Sequence, residues 1–150
     1  DIGGKYTVTK QISSVEAQYG DTPYPVSISQ GFPTQTQLDI TQASCDLFVI
    51  ESDTANNISI PYTGDIDEDG YFEFDLNPDA QVSIDISLDL SGIGKGTPTC
   101  TFTFDYVYWE GTAYNDNHLG GTVSYEFYKQ NNDPACPDIL KVNADFDAQK

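Results

Sequence analysis

The chain contains no Arg and no Met, one His, one Trp and six Lys, set against 24 acidic side chains and a net charge of -18. Each scarcity excludes something. Phosphate-rich partners are held by clustered Lys and Arg, so nucleic acid and anionic membrane surfaces are not expected partners. The longest unbroken run of aliphatic and aromatic residues is Leu47-Phe48-Val49-Ile50. That is far short of the ~20 apolar residues of a spanning helix, so no membrane span is expected. His118 is the only histidine, and any Ser–His or Cys–His catalytic pair must use it. It stands among Asn115, Asp116 and Asn117, where a solvated surface His is the simplest reading. Without Arg, an anionic transition state finds little stabilisation. The six Glu and 18 Asp contain no motif that selects two of them for glycoside hydrolysis. A non-enzymatic protein is expected.

Cysteine is also scarce. Three residues are too few for a disulfide scaffold, and Cys45, Cys100 and Cys136 lie too far apart for a Cys-x-x-Cys metal site. One disulfide and one leftover thiol is the simplest count. The first residue is Asp1, with no charged and apolar leader behind it, which reads as the mature form of an exported chain. Abundant Tyr, Thr, Ser, Asn, Asp and Gly agree with a secreted or cell-surface location.

What is present is period-two alternation. From Gln81 to Leu90, Val82, Ile84, Ile86, Leu88 and Leu90 alternate with Ser83, Asp85, Ser87 and Asp89. In a strand this puts the aliphatic set on one face and the aspartates in water. Similar runs cover 5–12, 25–30, 35–41, 46–51, 57–63 and 71–76. Two longer ones follow. Over 99–109, Cys100, Phe102, Phe104, Tyr106 and Tyr108 alternate with Thr101, Thr103, Asp105, Val107 and Trp109. Over 121–129, Val123, Tyr125 and Phe127 alternate with Ser124, Glu126 and Tyr128. With the Asn-, Asp- and Gly-rich segment 110–120 as their loop, they read as a long hairpin. The tail, 138–146, fits either a last strand or a short helix. These runs predict a single all-β domain over 1–150: an antiparallel barrel, or a β-sandwich, of about 8–10 strands.

The hairpin suggests which cysteines pair. Cys100 opens its first strand and Cys136 follows its second, so antiparallel pairing brings both to one edge. A pairing that uses Cys45, or three reduced thiols, is the alternative.

Two constellations suggest binding. Asp65-Ile66-Asp67-Glu68-Asp69-Gly70-Tyr71-Phe72-Glu73 spells D-x-D-x-D-G-x-x-E. Calcium takes several hard oxygens in loose geometry, and carboxylates alternating around a glycine turn can supply them. Position twelve is Leu76 rather than Glu, and the flanks are strands, unlike an EF-hand. The spacing is similar to the calcium hairpin loops of integrin-type propeller blades. That likeness implies Asp65, Asp67, Asp69, the Tyr71 carbonyl and Glu73 as ligands. The alternative is that Asp69-Gly70 is simply a good turn. The second constellation is aromatic: ten Tyr, eight Phe and one Trp. Trp109, Tyr114 and Tyr128 fall on the face opposite the alternating core set or in the hairpin loop. There Trp109 and Tyr114 are candidates for stacking on a sugar, unless they are ordinary sheet packing.

Gly4-Lys5-Tyr6-Thr7-Val8-Thr9, the segment Gly64 to Phe72, and Gly120-Gly121-Thr122-Val123-Ser124-Tyr125 together resemble small lipocalin-like β-barrels of exported bacterial lipoproteins. Tyr6 stands where lipocalins proper carry Trp. The resemblance implies a barrel that binds a small ligand. The expected function is a secreted or surface β-domain, calcium-stabilised, that binds a small ligand, a glycan or a neighbouring surface protein. Two alternatives stand beside it. One is a subunit of an extracellular fibre or surface layer, donating 135–150 or the first five residues to a neighbour's sheet. The other is a carbohydrate-binding module.

Overall fold

The computed structural model describes residues 1–53 and 55–150. It is all-β. The strands are β1 (Gly4–Tyr19), β2 (Thr22–Pro25), β3 (Ser27–Gln30), β4 (Gln35–Ala43), β5 (Asp46–Asp53), β6 (Ile58–Ile66), β7 (Tyr71–Leu76), β8 (Ser83–Asp89), β9 (Thr99–Asn115), β10 (His118–Lys129) and β11 (Ile139–Gln149). A single 3-10 turn spans Ser91–Ile93. Among the described residues no helix is long and apolar enough to cross a membrane.

Eight strands close an antiparallel barrel in the order β1-β4-β5-β6-β7-β9-β10-β11, with β11 returning to β1. The segment 138–146, open between strand and helix on the sequence, is the strand that closes the ring. The expected loop 110–120 is strand too, apart from Asp116 and Asn117. The long strands carry a second layer. Glu16–Tyr19 of β1 pairs with β2 rather than β4, and Thr99–Thr103 of β9 pairs with β8 rather than β7. β3 then pairs with β8, so the segment Thr22–Gln30 runs from one long strand toward the other. Gly31 follows at φ 98°, and a Cβ there would stand 2.3 Å from the carbonyl oxygen of Asp85. Only glycine fits where the chain leaves β8 for β4.

Alternation sets the inside. Tyr6, Val8, Leu38, Ile40, Leu47, Val49, Ile60, Tyr62, Phe72, Phe74, Val123, Tyr125, Phe127, Val142 and Phe146 all point inward and are buried. Aromatic rings fill the interior. Phe74 stacks on Phe72 and on Trp109, with centroids 5.8 and 5.4 Å apart, and Tyr125 stacks on Phe127 at 5.5 Å. Phe32 enters from the β3–β4 connection and meets Tyr125 edge-on at 5.1 Å. Eight strands leave room for little more than side chains, and bulky rings fill that room.

Bulges interrupt the alternation. In β1 the register to β11 shifts between Ile12 and Ser14, so Val15 and Ala17 take over the inward positions from Tyr6, Val8 and Lys10. In β9 the register to β10 shifts between Glu126 and Phe127, leaving Asp105 and Tyr106 both exposed. One extra residue exchanges the two faces of a strand from that point on.

Cys100 and Cys136 form a disulfide, with Cα atoms 5.8 Å apart, across the open end of the β9–β10 hairpin. Cys45 is a free, exposed thiol.

Candidate functional site

The β9 bulge decides what the outer wall displays. Before it, Cys100, Phe102 and Phe104 point inward; after it, Val107 and Trp109 do. Trp109 is therefore fully buried, against the expectation that it faces outward. It is not available as a surface stacking platform. Tyr106 and Tyr108 take the outer face instead. Their rings lie nearly parallel, 14° apart with centroids at 6.4 Å. Tyr114 remains at the hairpin tip, 62% exposed, its ring 4.9 Å from that of His118. Trp109 and Tyr114 do not form one site. Tyr128 and Tyr71 add exposed rings on the neighbouring strands β10 and β7.

Carboxylates lie between these rings. The register sets Asp46 opposite Asp65, Asp65 opposite Glu73, and Glu73 opposite Glu110. Four acidic residues thus form one rung across β5, β6, β7 and β9 on the outer face. Like charges directly opposite one another destabilise a sheet. Among the described residues none of the four has a Lys within ion-pair distance, whereas Glu126, one strand further, reaches Lys141 at 3.5 Å. Tyrosine hydroxyls partly compensate. Tyr108 donates to Glu73 at 2.5 Å, and Tyr71 donates to Glu110 at 2.8 Å. These bonds hold both phenols above their ordinary pKa, because ionising either would set an anion against an anion. Burial and then Asp75 raise Tyr106, and the charge of Asp105 raises Tyr128. The wall therefore presents neutral phenol rings among anionic carboxylates.

The acidic turn between β6 and β7 is built for its own geometry. Asp67 Oδ1 accepts the N–H groups of Asp69 and Tyr71, both at 2.9 Å. The Tyr71 carbonyl accepts the Asp67 N–H at 2.9 Å, and Gly70 sits at φ 85°. Two of the five expected calcium ligands thus serve the turn, while Asp65 and Glu73 lie on the wall outside it. Among the described residues no group of three or more His, Cys, Asp or Glu is placed to hold a metal ion. The turn lines an open mouth of about 410 Å³ with Asp1, Cys45, Glu68, Asp69 and Asp116. His118 pairs with Asp147 at 2.5 Å on the exposed rim nearby.

Inside the barrel lies a polar cluster that the sequence reading passed over. Lys10 and Glu51 form an ion pair with 0% and 1% of their side chains exposed. Glu51 also accepts the hydroxyls of Thr36 and Tyr62, both at 2.7 Å. Lys10 Nζ donates to the Pro33 carbonyl at 3.2 Å and lies 5.2, 5.4 and 5.7 Å from the rings of Trp109, Tyr125 and Phe32. Desolvation lowers the Lys10 pKa and raises that of Tyr62 well above its usual value. Among the described residues, two buried donors, Trp109 Nε1 and the Tyr125 hydroxyl, have no hydrogen-bond partner. The signal was present in the strand phase. Lys10 follows Tyr6 and Val8 on the inward parity of β1, and Glu51 follows Leu47 and Val49 on that of β5.

The chain matches no protein-family model and no curated protein.

Proposed function

We propose that this is a non-catalytic, secreted or cell-surface binding domain whose partner is a basic segment of a neighbouring surface protein, docked on the outer wall of β7, β9 and β10. One observation carries the reading: exposed Tyr71 and Tyr106 and half-buried Tyr108 stand beside Glu73 and Glu110 of the rung, and among the described residues no lysine answers that rung. Lys or Arg of a partner would meet carboxylates for ion pairs and neutral ring faces for cation–π contact. The filled interior draws the reading away from a small ligand inside the barrel and toward its outer surface. In the same reading calcium acts as a counter-ion for Asp65 and Glu73, with the weak, millimolar affinity of extracellular modules.

A second reading is carbohydrate binding, favoured by the parallel Tyr106–Tyr108 pair, which offers a flat surface to a sugar ring. Binding of a lysine- and arginine-rich peptide and of a neutral glycan series separates the two. The proposal expects peptide binding that weakens with salt and with Tyr106→Ala. Salt-insensitive glycan binding at the same tyrosines transfers the wall to carbohydrate, and binding of neither overturns both readings.

A further inference from the structure

We propose that Lys10 and Glu51 become joined by a side-chain amide, formed within the folded barrel. The two groups are in hydrogen-bond contact, inside a box made by the rings of Trp109, Tyr125 and Phe32. Both are withdrawn from water, which is the competing nucleophile and the solvent of their charges. Burial without water favours the neutral pair, amine and carboxylic acid, over ammonium and carboxylate. The same burial makes the amine lone pair available.

The atoms balance without any other reactant. A proton passes from the Lys10 ammonium to Glu51 Oε2. The Lys10 nitrogen then attacks Glu51 Cδ, forming the C–N bond. The Tyr62 hydroxyl, on Glu51 Oε1, stabilises the negative charge that develops there. Thr36 holds Oε2, the oxygen that takes a second proton from the nitrogen and leaves as water when the C–O bond breaks. Ammonium plus carboxylate becomes amide plus one water. Fixing both groups in contact replaces a bimolecular encounter with an intramolecular one, and well-oriented groups gain effective molarities of about 10⁵ M or more. In the product, Oε1 keeps the Tyr62 hydrogen bond as the amide oxygen, and the amide N–H has the Pro33 carbonyl to donate to. The released water finds two unpartnered donors in the same box, Trp109 Nε1 and the Tyr125 hydroxyl, whose hydrogens it accepts.

The link would join β1 to β5, at a sequence separation of 41. With the Cys100–Cys136 disulfide it would leave two covalent ties in the chain.

Intact mass spectrometry of the purified, folded chain tests the proposal. The expected mass is lower than the sequence mass, corrected for the disulfide, by one water. A proteolytic digest should then yield one branched peptide that contains both Lys10 and Glu51. Lys10→Met and Glu51→Leu should each restore the full mass. Glu51→Gln should release ammonia instead and end at the same mass as the wild-type protein. Tyr62→Phe should accumulate the unlinked form. The full mass in folded wild-type protein after days of incubation overturns the proposal. So does a water loss that persists in Lys10→Met, or one that maps to a succinimide at Asp69-Gly70.

Discussion

Lys10 shows how much a single position carries in this barrel. Among the described residues it is the one buried lysine, and the partner its amine touches is the buried carboxyl of Glu51. Removing one member of such a pair leaves the other buried without its partner, which costs about 3–5 kcal/mol. Lys10→Met should therefore destabilise strongly, while Lys10→Met combined with Glu51→Leu should be more stable than Lys10→Met alone. Urea unfolding of the two variants checks this, and equal losses would contradict the pairing. The tyrosines supply a second expectation. Burial holds Tyr62 and Tyr125 well above their usual pKa, and burial with Asp116 nearby pushes Tyr6 up to about 12. A phenol with a raised folded pKa stabilises the fold fully below the unfolded value of about 10, and that stability is lost as pH rises through the folded pKa. The protein should hold its far-ultraviolet spectrum up to about pH 10 and unfold cooperatively as tyrosinate forms above it. Ionisation of all ten tyrosines near pH 10 with no loss of structure would show these phenols to be solvated. Lys10 and Glu51 were legible in the strand parity. Neither breaks the alternation of its strand, yet a charged residue on an inward position invites being read past.

Bulges marked the limit of what could be read at the level of elements. The runs of alternation identified most barrel strands, and the hairpin argument identified the disulfide, because both follow from local period and turn chemistry. Which face Trp109 takes did not follow, because one unpaired residue near Asp105 reverses every later position in β9. The sequence alternates smoothly through that point, and only the pairing with β10 reveals the shift. Trp109→Ala should consequently act as a core truncation, costing about 3–5 kcal/mol, and not as a silent surface change. Opening the disulfide by Cys136→Ser should cost about 3–4 kcal/mol from the loop of 36 residues it closes. The β6–β7 hairpin offers a gain instead. Asp65 faces Asp46 on one side and Glu73 on the other, so Asp65→Asn should stabilise by about 0.2–1 kcal/mol. Under the proposed counter-ion role of calcium, it should also reduce the rise in Tm expected at millimolar calcium. An unchanged calcium response in Asp65→Asn would place the ion elsewhere.

At the scale of the whole molecule, the charge of -18 and the barrel geometry act together. Strand parity sends most of the acidic residues outward, Glu51 and Asp53 being buried, and there they keep the wall soluble and repel copies of the chain. Net charge was plain from composition. The rung of Asp46, Asp65, Glu73 and Glu110 was not, because it joins four strands whose register no local pattern specifies. In the proposed role, the tyrosines on the same wall add neutral ring faces to the charge of the carboxylates. The proposed role of this wall is to take a basic partner. Its most direct measurement is the affinity of a lysine- and arginine-rich peptide for the wild-type protein and for Tyr106→Ala/Glu110→Gln, at low and at physiological salt. Binding at low salt should weaken by about tenfold or more at physiological salt and be lost in the variant. Equal affinity for wild type and variant, or affinity indifferent to salt, would contradict it.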